Sequence, residues 1–378
     1  MDKFNVLCIL IPYLFRLGKV WYSNLVGYGM IMIGLLLLTG CSTDKPSDRN
    51  DSIPVLTMED ERSFITIPGG YYTHGNSWDT LYFDNQNDEL FMTSVYNTQT
   101  QQWEKKIRYD DTVWIDEFKI SKYEVTNRWY AEFCNDSGYY KREFWSDSGW
   151  AWMDTLDSKL PRYWKADREP PYMSDPYSYT EDRPVIGINW YEAEAFCKWY
   201  GTQIGSTVRM PTEAEWEKAA RWSDPRPENR LGNRYPWGDE YQLDRFNGYA
   251  WEDGFVNTAP VQAFPQGQSA YGVQQMIGNV WEWCQDWYGA EYYKMIYDRK
   301  LKNPTGPTVY NSQKYKVVRG GDFGPCHKES YRNTNRHGIT QTFRGNYLTM
   351  LENNNVGIRL VQTMAPKAEL NLYQEGAR

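Results

Sequence analysis

Histidine is nearly missing from this chain. There are three in 378 residues, His74, His327 and His337, and no two stand at metal-ligand spacing on a helix. Nor is there a Ser/His/Asp nucleophile signature or a glycine-rich phosphate loop. No basic tract interrupts a net charge of −8. A surface that tracks phosphates needs clustered Lys and Arg, so nucleic acid is excluded as a partner. Between Arg62 and Val361 no long Pro/Ser linker or charge run divides the chain, and no internal repeat is visible. The length suits one large domain.

Aromatic residues, by contrast, make up 17% of the sequence, with 18 Trp and 31 Tyr. Such rings bury large areas and can anchor a core with little regular structure; they also line peptide and glycan sites. The apolar stretch from Leu25 to Gly40 is short for a bilayer span and ends in Leu38-Thr39-Gly40-Cys41. It resembles a bacterial lipoprotein signal, in which the Cys41 thiol carries the lipid and acyl chains hold the protein on a membrane. An uncleaved transmembrane anchor is the alternative. The reading divides the chain into a signal segment (1–41), a polar flexible tether (42–61), one domain (62–362) and a loose tail (363–378). It places the protein in a bacterial envelope, at the outer membrane facing the periplasm or the cell surface. Of the six cysteines, Cys134, Cys197, Cys284 and Cys326 lie beyond the export segment. Four thiols allow three pairings, which the sequence leaves open.

Phe64 to Ile67 and Val113 to Ile120 read as strands, with Pro68-Gly69-Gly70 as a turn. Three helices are legible from their caps. Thr126 opens the first. Asn189 and Glu192 form a capping-box pair for the second, which Gly201 is suited to end. Thr212 and Glu215 form another for the third. Residues 135–182 and 224–280 show no clean period. A long irregular domain needs a large aromatic core, bound metal ions, or both, to offset its ordering entropy.

Several blocks stand in a fixed order: Arg183-Pro-Val-Ile-Gly-Ile-Asn-Trp190, Arg209-Met-Pro-Thr-Glu-Ala-Glu-Trp-Glu217, Tyr235-Pro-Trp-Gly238, Gly278-Asn-Val-Trp-Glu-Trp283, Arg319-Gly-Gly321 and Val356-Gly-Ile-Arg359. In this order they resemble the formylglycine-generating enzyme (sulfatase-modifying factor) family. The resemblance implies a mixed α+β fold related to the C-type lectins and poor in regular secondary structure. It also implies an oxidase that converts a sulfatase cysteine to formylglycine with copper held by two thiolates, which suit linear Cu(I). Here the sequence departs from the family. Cys326, followed by His327, stands for the first thiol, but Tyr331 occupies the position of the second, and Asp322 replaces the serine of the Gly-Gly-Ser turn. Trp281 and Arg319 match the family's substrate-cleft wall. A groove there suits an extended peptide or a sugar.

Turns between residues 247 and 282 are rich in side-chain and carbonyl oxygens, the donors that Ca2+ takes in sets of six to eight. The resemblance implies one calcium site at Asn247 and Asp253 through side chains and Gly248 and Phe255 through carbonyls. It implies a second at Glu282 and Gln275, with the carbonyls of Gly278 and Val280. Gln275 stands where the family has Asn, and the extra methylene weakens that site. Three functions follow as expectations. The first is a non-catalytic lipoprotein scaffold or binding module, similar in plan to gliding-motility and type IX secretion lipoproteins. The second is a formylglycine-generating oxidase, and the third a glycan-binding surface lipoprotein. For the anchor, Cys41→Ser is expected to release the protein from membranes in a fractionation assay; continued retention would point to a transmembrane segment.

Overall fold

In the computed structural model, the residues described are 53, 55–73, 92–97, 102–107, 112–167, 171, 180–220, 235–238, 240–248, 253–289, 292, 301–307, 315–324, 344–350 and 352–364. The chain runs α1 (Met58–Glu61), β1 (Phe64–Ile67), β2 (Gly70–Thr73), β3 (Met92–Asn97), β4 (Gln102–Ile107), β5 (Thr112–Ile115), β6 (Phe118–Ser121), α2 (Asn127–Asn135) and α3 (Asp147–Met153). It continues with α4 (Trp190–Ile204), β7 (Val208–Arg209), α5 (Glu213–Ala220), β8 (Trp281–Trp287), β9 (Tyr315–Arg319), β10 (Arg344–Leu348), β11 (Val356–Gly357) and β12 (Val361–Gln362). Two four-stranded sheets, ordered β1-β6-β12-β7 and β10-β9-β8-β11, carry most of the architecture, and β2-β5 and β3-β4 form two-stranded ribbons.

The caps act as their residue types dictate. The Thr126 side chain accepts from the Trp129 N–H at the start of α2. Asn189 and Glu192 close a complete capping box on α4. On α5 the Thr212 hydroxyl accepts from Glu215 N (3.2 Å) while the Glu215 carboxylate accepts from Thr212 N (2.8 Å). Two sequence expectations are corrected. Helix α4 does not end at Gly201. It runs on to Ile204, and Gly205 ends it in the left-handed conformation (φ 61°). At residue 201 the helix continues, and a side chain there would lie 2.7 Å from the Ser206 carbonyl, so the following turn packs back only on glycine. The segment from Val113 to Ile120 is two strands in different sheets. It breaks at Asp116, whose N–H donates to Asn303 and whose carboxylate accepts from Trp114 Nε1 and Asn303 Nδ2.

The larger core cluster joins α2 and α4 to β8 and β11 through Trp129, Phe133, Phe196, Trp199, Trp283 and Val356. A second lies under α5 and includes Trp216, Ile120, Cys284 and Val317. Lys316 of β9 fastens α4 to the sheet. Its ammonium sits between the Trp190 and Trp287 rings, 3.9 and 3.8 Å from their centroids, and donates to the Gln285 carbonyl. Cys197 and Cys284 are buried and Cys134 half-buried, and all three are free thiols. Burial pushes each well above the ordinary thiol range, so they act as small apolar groups.

The capping box also carries a pH dependence. Burial, reinforced by the nearby Glu352 carboxylate, pushes Glu192 up to about 8 against the lowering effect of its bonds from Tyr139 and Asn189. Between pH 4.5, the ordinary value, and about 8, the unfolded chain binds fewer protons than the folded one. Stability from this group is therefore full at low pH and falls as pH rises through that window. Glu192→Gln keeps the cap but removes the titration. The stability advantage of Glu192→Gln over wild type, measured by urea unfolding, is expected to grow from pH 5 to pH 8 and then level off; a pH-independent difference would refute it.

Candidate functional site

At the junction of β8, β9 and β11, the side chains of three sequence blocks meet. Glu282 of β8 is fully buried and accepts from Arg359 twice, Nη2 to Oε1 at 2.8 Å and Nε to Oε2 at 2.9 Å. Oε2 also accepts from Trp216 Nε1 at 2.6 Å. The rest of the Arg359 guanidinium donates to the carbonyls of Ser121, Lys122 and Gln274. Guanidinium and carboxylate match as a bidentate pair, and every remaining donor finds an oxygen, which such a charge needs when buried. Glu282 is thus the counter-ion of Arg359, with one lone pair left on Oε1 for any cation.

Beside it, Gly278-Asn279 makes a tight turn. A side chain on Gly278 (φ 75°) would come 2.2 Å from the Asn247 carbonyl, so the approach of these two loops demands glycine. Asn279 follows in the left-handed region (φ 61°), which Asn tolerates. Its N–H donates to the Asn247 carbonyl, its Oδ1 accepts from Ala259 N and Asn247 Nδ2, and its Nδ2 donates to Glu124. Glu124 is wholly buried. Burial and the neighbouring Glu282 push its carboxyl well above the usual range, against the pull of Arg359. Asn279 also reaches the cleft turn, because its carbonyl accepts from Phe323 N.

That turn is Gly320-Gly321-Asp322, with φ of 101° and 82° at its two glycines. Asp322 accepts from Gly324 N at 2.9 Å and from Asn355 Nδ2. Trp281, half-buried, packs on the larger core and is tied through its N–H to the Asn355 carbonyl. Arg319, expected in the cleft wall, instead lies in the interior. It is fully buried, donates to Glu217 at 2.5 Å and sits 5.3 Å from the Trp216 ring centroid. Its charge holds α5 against β9 and is turned away from solvent. Cys41, Cys326, His327 and Tyr331 lie outside the described residues.

In the first set it is backbone N–H groups that meet at the carboxylate. Asp253 accepts from Gly248 N (2.9 Å) and Phe255 N (3.0 Å), which brings both of those loops to one carboxylate. Asn247 Oδ1 is buried with no hydrogen-bond partner. A buried, orphaned amide oxygen, one residue from a backbone group bound to a carboxylate, is a donor that a hard cation would use. In the second set Gln275 (φ 53°) also presents a buried, unpartnered Oε1, whereas Glu282 already holds three donors. The fit there is partial. Among the described residues no three His, Cys, Asp or Glu side chains gather as a metal site, so an ion at either set would have one carboxylate, Asp253 or Glu282, and otherwise amide and backbone oxygens.

With this geometry in view, comparison with known proteins is decisive. Residues 52–364 match the family described as the sulfatase-modifying factor enzyme 1-like domain. The chain belongs to this family. It is 34% identical over 254 residues to the formylglycine-generating enzyme of Thermomonospora curvata, a match that covers 60% of this chain and 76% of that protein. It is 35% identical over 241 residues to the hercynine oxygenase of Mycolicibacterium thermoresistibile, covering 61% of this chain but only 50% of that protein. The chain therefore spans about half the length of the hercynine oxygenases it matches. Among solved structures, PvdO from Pseudomonas aeruginosa superposes with a TM-score of 0.52 at 20% identity, covering 81% of this chain and 96% of that one. That likeness supports the α+β fold expected from the sequence. Sequence reading missed Glu124 as a partner of Asn279 because the two lie 155 positions apart. Asn279 itself carried a signal, a polar residue directly after glycine in a turn.

Replacing Glu282 tests the central pair. Glu282→Ala leaves Arg359 charged and unpaired in the interior and is expected to cost about 3–5 kcal/mol in urea unfolding. Glu282→Gln keeps an acceptor for Trp216 and is expected to cost less. Equal losses would remove the ion pair from this account.

Proposed function

We propose that this protein is an envelope-anchored lipoprotein whose sulfatase-modifying-factor-like domain acts as a scaffold or binding module rather than as an oxidase. The observation that carries the reading is the single thiol after the glycine turn: Cys326 is present and Tyr331 stands at the second position. One thiolate does not make a two-coordinate Cu(I) site. The turn itself supports the reading. Asp322 is committed to Asn355 and Gly324, and Arg319 is buried against Glu217, so neither side chain is free to serve a reaction at the turn. The groove that the family resemblance implies beside Trp281 would suit an extended peptide of an envelope partner. In this reading calcium is structural and is held first by Asn247, Asp253 and the carbonyls of Gly248 and Phe255. It would supply positive charge to the buried, unpartnered Asn247 Oδ1 and to Asp253 and so stiffen an irregular loop.

A second reading, a formylglycine-generating oxidase, is favoured by the identity to the enzyme of that name from Thermomonospora curvata. Incubating the purified chain with Cu(I), dioxygen and a peptide bearing Cys-x-Pro-x-Arg separates the two. Mass spectrometry is expected to show unmodified peptide; an aldehyde product that disappears in Cys326→Ser establishes the oxidase instead. For calcium, chelation is expected to lower the melting temperature, because an ion that binds only the folded state stabilises it. Asp253→Asn is expected to shrink that response. A melting temperature indifferent to chelation removes calcium from the proposal.

A further inference from the structure

The chain joins its folded domain on one particular face. Ile53 packs against a small cluster of Phe255, Ala259 and Phe264, in which the two phenylalanine rings meet edge to face at 5.8 Å between centroids. Three residues on, the Leu56 carbonyl accepts from Arg128 Nη2, and Thr57 caps α1. The point of entry is thus pinned to the loop that follows Asp253. Cys41 and Ile53 are twelve positions apart. Whatever its conformation, a chain of that length spans at most about 40 Å. A lipid on Cys41 ties this face to within that distance of the bilayer.

The same face is without charge. From Gly254 to Trp281 the sequence holds no Asp, Glu, Lys, Arg or His, in a chain that is 24% charged. Charged residues normally gather at the surface. Here the exposed positions of the loop are Gly254, Val256, Pro265, Gln266, Gln268 and Ala270. Val55, 88% exposed, is the most exposed large apolar side chain among the described residues, and Val256 is 57% exposed. Both stand within two positions of the Ile53–Phe255 contact. Charges begin only at the margins. Arg245 donates to the Gln266 carbonyl, Asp182 accepts from Gln262 Nε2, and Glu59 and Asp60 stand on α1.

A charged side chain has to shed tightly held water to meet a bilayer, whereas valine, proline and the amide of glutamine shed theirs at far lower cost. The patch is small, but a tethered surface needs little affinity of its own. A short link presents it at an effective concentration on the order of millimolar. We infer that this face, Ile53 and Val55 together with the loop from Gly254 to Ala270, rests on the bilayer that carries the protein's own lipid, with Val55 and Val256 at headgroup depth. The inference rests on the lipid-anchored reading given above. The charged margins keep the contact at the headgroups and out of the hydrocarbon.

The test uses the full chain in the membranes of the bacterial cells that produce it. Photoreactive p-benzoylphenylalanine is introduced in place of Val55 or Val256 and, as controls, in place of Tyr140 (68% exposed) or Met350 (59%), which are comparably exposed on other segments. After irradiation the membrane fraction is analysed by mass spectrometry. Positions 55 and 256 are expected to form phospholipid adducts, and positions 140 and 350 to form none. Membrane-bound protein without a lipid adduct at 55 and 256 overturns the inference and leaves the anchor standing. Equal lipid adducts at all four positions overturn it too, because they show nearness to the bilayer without a preferred face. Adducts to another protein at 55 and 256 also overturn it and make this face a protein interface. Absence of the protein from the membrane fraction removes the anchor, and the inference with it.

Discussion

The Arg359–Glu282 pair is the constraint on which the rest depends. Two opposite charges lie fully buried, and together they use oxygens or donors from β6, the loop before β8, β8 itself and α5. An ion pair of this kind adds little net stability over an apolar filling, but removing either partner strands a charge. Its value lies in choosing one arrangement: only the native register of β11 beside β8 brings Arg359 to Glu282. The same strand lays Trp281 and Trp283, two residues apart on one face, against the larger core, so the ion pair and the core packing are fixed by one strand.

The cleft turn shows how the site inherits that order. Gly320 and Gly321 follow directly from Arg319, whose charge is locked to Glu217, and both take positive φ that other residues rarely adopt. Asp322 is then drawn onto Asn355, three residues before the Ile358-Arg359 segment. Asn279 closes the circuit by bonding Asn247 on one side and Phe323 on the other. Loop 247–259, the glycine turn and the central ion pair therefore form one hydrogen-bonded frame, and a cation held at Asn247 and Asp253 would act on all of it.

What the sequence revealed was local. The caps at Thr126, Asn189 and Thr212 were legible because a cap depends on residues three positions apart. The family blocks were legible because glycine, tryptophan and acid spacing is dense there. The break at Asp116 was hidden because its partner, Asn303, is 187 residues away. The true end of α4 was hidden because two glycines, Gly201 and Gly205, both suit a stop, and it is Gly205 that takes the left-handed conformation while Gly201 serves the close approach of Ser206. Arg319 read as a cleft residue because its block borders the cleft; only the packing of α5 shows its side chain turning inward. The roles of Glu124 and Arg359 had no local signature, since each is defined by partners from elsewhere in the chain.

Strand β12 lies inside its sheet, flanked by β6 and β7. Its pairing imposes an order of assembly. During translation the early strands β1 and β6 emerge without their inner neighbour, and β7 has no partner until residues 361–362 leave the ribosome. The Arg359 key arrives only moments before. A chain of this topology completes the β1-β6-β12-β7 sheet only after its last strand is made. It also means that a chain stopped before residue 361 lacks the strand that joins β6 to β7.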